Sequence, residues 1–103
     1  MSPGSAPHRL HVRYLGIIQR IVGASEEEMA VMEGTRVRDL LQILKGKYGT
    51  EMKSALEDNH LLASNAIVLV DGKNTDTMKG LDTLLEKGQD VQIVVMAPSG
   101  FGG

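Results

Sequence analysis

Among the residues able to do chemistry, Gly102-Gly103 stands apart, because its reactive group is a backbone carboxylate rather than a side chain. Glycine has no Cβ, so two in succession can thread a passage too narrow for other residues and bring the backbone close to a nucleotide. A terminal glycine carboxylate in such a passage could be activated as a mixed anhydride with AMP. The plain alternative is that Gly102 and Gly103 are an ordinary small, frayed chain end. Side chains offer less. His8, His11 and His60 lack metal-ligand spacing, and no HExxH, phosphate-binding glycine loop, GxSxG or dinucleotide fingerprint occurs. Asp58 and His60 have no nucleophile to serve, His11 reads as an ordinary strand residue, and Glu26-Glu27-Glu28 reads as a solvated turn. The pattern gives little support for an autonomous enzyme.

Cysteine is absent, which excludes disulfides, a thiol nucleophile, thiolate zinc sites and cysteine-ligated iron–sulfur clusters. Any sulfur chemistry must use borrowed sulfur. A net charge of −2, scattered lysines and arginines, and 3% aromatic content give neither an electrostatic footprint nor a stacking platform for nucleic acid. No stretch approaches the roughly 20 apolar residues a membrane-spanning helix requires. Residues 1–8, rich in Ser, Pro and Gly, lack the basic start and apolar centre of a secretory signal and read as a flexible leader. A cytoplasmic protein is expected.

At 103 residues, one domain with a modest core must do the positioning. The expected division is a leader at 1–8, a folded unit at 9–96 and a flexible tail at 97–103. Arg9 to Leu15 alternates, with Leu10, Val12 and Tyr14 on one face and His11, Arg13 and Leu15 on the other, as in a half-buried strand. Gly16 interrupts it, Ile17 to Val22 reads as a loop or strand extension, and a second strand follows from about Glu27 to Met32. The hydroxyl of Thr35 is placed to cap a helix. Across Arg36 to Tyr48, residues Val37, Leu40, Leu41, Leu44 and Tyr48 recur at helical spacing, and Gly49 supplies a stop. Glu51 to Glu57 reads as a short helix with Met52, Ala55 and Leu56 inward. Ala66 to Val70 is a continuous apolar run, read as a strand covered on both faces or central in its sheet. Asp71-Gly72 is a tight-turn signal, with a short return strand through Lys73 to Asp76. Leu81, Leu84 and Leu85 are expected to plug one end of the core. The last strand, Val91 to Met96, places Val91, Ile93 and Val95 on one face. The order describes an α+β roll with a mixed sheet packed against one main helix.

Gln92 sets the opposite face of the last strand toward water, which leaves Val94 and Met96 exposed beside Arg13 and Leu15 if the first and last strands are neighbours. That patch leads directly into the tail. Small apolar patches with polar rims mark partner docking, although isolated exposed apolar residues are also ordinary.

Several of these segments, taken in order, resemble the sulfur-carrier β-grasp family, which includes the small subunit of molybdopterin synthase, the thiamine sulfur carrier and the ubiquitin-related modifier. The likeness runs through His11-Val12-Arg13-Tyr14-Leu15, Gly23-Ala24-Ser25-Glu26-Glu27-Glu28, and Glu33-Gly34-Thr35-Arg36-Val37-Arg38-Asp39-Leu40-Leu41. It continues through Val68-Leu69-Val70-Asp71-Gly72, Leu84-Leu85-Glu86-Lys87-Gly88-Gln89-Asp90-Val91 and Gly102-Gly103. The resemblance implies a ubiquitin-like β-grasp fold that binds no cofactor of its own. It also implies that an adenylating partner uses ATP and magnesium to activate the Gly103 carboxylate, while Gly102 provides clearance.

The acyl adenylate would then accept sulfur for an acceptor such as the molybdopterin synthase large subunit, or pass to lysines of target proteins. A noncatalytic β-grasp interaction module is the third reading. Two features depart from the usual pattern: Ala97-Pro98-Ser99-Gly100-Phe101 stands where Pro-Pro-x-x is common, and the segment from Tyr48 to Ala66 is long. Phe101 either fills a partner pocket or is incidental.

Overall fold

The computed structural model describes residues 7–57 and 66–95. Its chain order is β1 (Pro7–Gly16), α1 (Ile18–Val22), β2 (Glu26–Met32), α2 (Val37–Tyr48), α3 (Thr50–Glu57), β3 (Ala66–Val70), β4 (Lys73–Asn74) and β5 (Asp90–Val95). Two short 3₁₀ turns, Thr75–Thr77 and Gly80–Asp82, lie between β4 and β5. The strands form one mixed sheet in the order β2-β1-β5-β3-β4, with β1 and β5 parallel at its centre and antiparallel pairs elsewhere.

Alternation selects the face that meets the helices. Leu10, Val12 and Tyr14 of β1, Val68 and Val70 of β3, and Val91, Ile93 and Val95 of β5 are all buried. The register sets Val12 beside Val91 and Tyr14 beside Ile93, while Val68 faces Ile93 from the other side. Val37, Leu40 and Leu44 of α2, with Met52 and Leu56 of α3, close over that layer. Each such side chain contributes about 1.5–3 kcal/mol when fully buried.

Helix α2 begins differently from expectation. The Thr35 hydroxyl donates to the Met32 carbonyl at 2.6 Å, closing the turn after β2. The first helical turn instead uses the Asp39 carboxylate, which accepts the Arg36 amide at 2.9 Å in the manner of a capping box. At Asp71-Gly72 both residues have positive φ, 52° and 85°, the geometry of a type I′ hairpin turn.

Three further expectations are corrected, and of the two alternatives for β3 the place inside the sheet holds. Residues 17–22 contain a helix because Ile18, Ile21 and Val22 follow i, i+3, i+4 spacing and pack on the core, although α1 has only 5 residues to display that period. Glu26-Glu27-Glu28 is strand, with Glu26 and Glu28 exposed and Glu27 turned toward the helix side. The run in β3 is covered on one face only, since Ile67 is 40% exposed, although the strand does lie inside the sheet between β5 and β4. Leu81 and Leu84 are exposed and only Leu85 plugs the core. A bridge between Arg36 and Leu84 extends this stretch, so Thr83 and Leu85 turn inward and Leu84 outward.

Candidate functional site

The face of the sheet away from the helices carries a lattice of ion pairs and then an apolar row. Arg13 of β1 grips Asp90 of β5 with two hydrogen bonds, Nη2 to Oδ2 at 2.7 Å and Nε to Oδ1 at 3.2 Å. His11 meets Glu26 and Arg9 meets Glu28 at 3.1 Å. Although Glu26 lies across from Arg13 and Glu28 across from His11, each carboxylate reaches the next β1 residue along the diagonal. Exposed pairs of this kind are screened by water and add little to stability. They balance charge over the middle of the face.

Beyond the lattice, parallel pairing sets Leu15 beside Val94, and antiparallel pairing sets Ile67 on the other side of Val94. Leu15 is 38% exposed, Ile67 is exposed and Val94 half-buried, so three adjacent strands present one continuous apolar row. This row crosses the end of the sheet at which β5 reaches Val95. Of the sequence-predicted site residues, Arg13, Leu15 and Val94 are brought together here. Met96, Phe101, Gly102 and Gly103 lie outside the described residues, as do Asp58 and His60. Ile67 was hidden in an apolar run, where its alternation with Val68 and Val70 was the available signal.

The turn after β1 adjoins the row. Gly16 has φ 87° and pairs with Val95. The amide of Ile17 donates to the Val95 carbonyl at 2.9 Å. Ile18 is fully buried, and Gln19 Nε2 donates to the Tyr14 carbonyl at 2.9 Å, fixing α1 against β1.

On the helix side, Glu27 is the main charged group. Partial burial pushes its carboxyl up, but hydrogen bonds from Tyr14, Tyr48 and Lys47 together outweigh burial and hold it below its ordinary value. Burial first, then the hydrogen bond to Glu27, push the Tyr14 phenol well above its usual range. The cluster joins sheet to helix and faces away from the apolar row. Among the described residues, no group of three or more His, Cys, Asp or Glu side chains is placed to hold a metal ion. No helix among them is long and apolar enough to cross a membrane.

This five-stranded, helix-backed arrangement coincides with a known family pattern. The ThiS family model matches residues 12–98, which takes in the second half of β1 and all of β2 to β5. The chain belongs to the ThiS family. The expected sulfur-carrier β-grasp membership is therefore established, and with it the ubiquitin-like fold. No curated protein shows a significant sequence match.

Solved structures share the ThiS-family architecture at low identity. The HVO 2177 protein of Haloferax volcanii is 20% identical with a TM-score of 0.78, over 97% of this chain and 93% of its own. Small archaeal modifier protein 1 of Methanosarcina acetivorans is 20% identical with a TM-score of 0.69, over 94% of this chain and 98% of its own. A candidate subunit 1 of molybdopterin converting factor from Pyrococcus furiosus is 23% identical with a TM-score of 0.71, over 87% of this chain and 99% of its own. At these identities the likeness speaks to fold. ThiS-family members are small carrier proteins that work with partner enzymes.

Proposed function

We propose that this ThiS-family chain is a sulfur carrier rather than an enzyme, with the Gly103 carboxylate as the group that is activated and loaded. A carboxylate oxygen attacks the α-phosphorus of ATP bound with magnesium in an adenylating partner, and pyrophosphate leaves. A sulfur donor at the sulfide oxidation level then attacks the acyl carbon, AMP leaves, and a thiocarboxylate remains. The partner supplies electrostatic stabilisation, and AMP is the good leaving group that makes the carbonyl reactive. Gly102 keeps the passage clear.

The observation that carries this reading is the Leu15-Val94-Ile67 row, which lies at the end of the strand from which the chain runs on to Gly102-Gly103. In this reading the row docks the adenylating partner. Arg13 holds Asp90 neutralised beside it, and Met96 and Phe101 extend the contact. The eight residues after Val95 can span at most about 29 Å, enough to reach a recessed site in a partner. Use of ATP fits a cytoplasmic setting.

The acceptor pathway we favour is molybdopterin assembly, with an acceptor akin to the molybdopterin synthase large subunit, in line with the description of the Pyrococcus furiosus neighbour. The description of the Methanosarcina acetivorans neighbour favours a second fate for the same adenylate, transfer to lysines of target proteins.

Intact-mass measurement after incubation with the adenylating enzyme of the same organism, ATP, magnesium and a sulfur donor tests both fates. Replacement of one terminal oxygen by sulfur supports the carrier, and a ladder of lysine-linked species on an immunoblot supports the modifier. Absence of adenylate, thiocarboxylate and conjugate overturns the reading.

A further inference from the structure

We infer that Gly16 is a positioning residue for activation of the chain terminus, acting through the carbonyl of Val95. This inference rests on the sulfur-carrier reading. A Cβ added at Gly16 would lie 2.0 Å from the Val95 oxygen and 2.9 Å from its carbonyl carbon, both backbone atoms that cannot swing aside as a side chain does. The φ of 87° at Gly16 also lies in the region L side chains rarely adopt.

Immediately after it, the Ile17 amide donates to that same oxygen at 2.9 Å. Ile18, buried at 0% exposure, and the Gln19 bond to the Tyr14 carbonyl hold the donor in place. The Ile17 amide therefore holds the carbonyl, and the missing Cβ of Gly16 leaves it the room to lie there.

The consequence follows from peptide geometry. The Val95 carbonyl lies in the plane of the bond to residue 96, so fixing that oxygen fixes the first bond of the segment that leads to Gly103. The clamp thus fixes the peptide plane at the Val95 carbonyl, next to the row that docks the partner in the sulfur-carrier reading. A misplacement of about 1 Å at a reacting group can cost about 100-fold in rate. The seven residues between Val95 and Gly103 dilute such an effect without abolishing it when the partner holds the tail extended.

Two variants disturb the carbonyl by different routes. Gly16→Ala introduces the clashing Cβ. Ile17→Pro removes the amide hydrogen and puts a ring carbon in its place, at a residue whose φ of −64° already suits proline. Gly23→Ala is the control, because Gly23 has φ 83° but no atom within 4 Å of an added Cβ. It imposes the same backbone strain without touching Val95.

Each variant is checked for folding by circular dichroism. It is then assayed with the adenylating enzyme of the same organism, by calorimetric affinity and by steady-state pyrophosphate release. The expected result for Gly16→Ala and Ile17→Pro is a fall in kcat of about 10- to 100-fold, with affinity within about twofold of wild type and Gly23→Ala unchanged in both. Unchanged kcat in whichever of the two variants folds overturns the inference, as does an equal fall in Gly23→Ala, or a failure of both variants to fold, which would make the contact one that the fold itself requires. Failure of the wild-type chain to be adenylated at all is a separate result: it overturns the sulfur-carrier reading, and the inference with it.

Discussion

Tyr14 donates its hydroxyl to Glu27 Oε2 at 2.6 Å, linking β1 to β2 beneath the helices. Tyr48, the last residue of α2, donates to the same oxygen at 2.7 Å, and Lys47 Nζ meets Oε1 at 3.0 Å. One carboxylate thus fastens the end of the main helix to the sheet. Hydrogen bonds to a charged group contribute about 1.5–3 kcal/mol, and an orphaned buried donor costs about 1–3 kcal/mol. Glu27→Ala, which strands the buried Tyr14 hydroxyl, is expected to destabilise by about 3 kcal/mol, and Tyr48→Phe by about 1 kcal/mol. Urea unfolding measures both. A double-mutant cycle between positions 14 and 48 should be non-additive, because the two phenols share one oxygen.

The same cluster predicts how stability depends on pH. The Glu27 carboxyl is lowered from 4.5 in the native state, so its ionised form is favoured by folding. That contribution is complete above pH 4.5 and is lost as pH falls through the lowered native value. Tyr14 is raised from 10.0, so folding favours its neutral form, and that contribution is lost as pH rises above 10. Glu27→Gln should flatten the acid limb of a stability profile measured by denaturant unfolding, and Tyr14→Phe the alkaline limb. An acid limb unchanged in Glu27→Gln would assign the effect to other carboxylates.

The faces of this fold were legible wherever a strand or helix ran long enough to show its period. Leu10, Val12 and Tyr14 on β1, Val91, Ile93 and Val95 on β5, and the stripe of α2 were all readable from spacing alone. Short elements hid theirs: α1 offers a little over one turn, Leu81 sits on a 3₁₀ turn of 3 residues, and the direction of Leu84 depends on its bridge to Arg36. Ile67 was obscured because a half-exposed strand of aliphatic residues has the same composition as one buried on both faces. Glu27 was lost inside a run of three glutamates, since only the partner phenols distinguish it from Glu26 and Glu28. The pairing of Leu15 with Val94 depended on a parallel contact between the first and last strands, which no local pattern encodes. The family resemblance, by contrast, rested on the order of weak motifs along almost the whole chain.

Carboxylates placed in the apolar row should weaken docking and leave the fold intact. Leu15→Asp, Ile67→Asp and Val94→Asp each put a charge where a partner would have to desolvate it, and an anchor residue in an interface contributes about 2 kcal/mol or more. The expected loss of affinity for the adenylating enzyme is about 30-fold for Leu15 or Ile67. Calorimetric titration measures it. Val94 lies between the other two and is half-buried, so its substitution should weaken binding most. Loss of the circular-dichroism signal in all three variants would show that the row belongs to the core rather than to an interface.

In the sulfur-carrier reading docking and activation should separate cleanly, because that reading places them at opposite ends of one short segment. Deleting Gly103 removes the carboxylate in its proper place but leaves Leu15, Ile67 and Val94 untouched. The shortened chain is therefore expected to bind the adenylating enzyme with affinity within about threefold of the full chain, yet to release no pyrophosphate. It should also compete with the full chain for the enzyme. Val94→Asp should show the converse, turnover that recovers as carrier concentration is raised, since a lost ground-state contact raises KM and spares kcat. If deletion of Gly103 abolished binding as well, the terminus rather than the sheet would be the principal anchor. If the deleted chain kept its biological role, the noncatalytic module would be the correct reading.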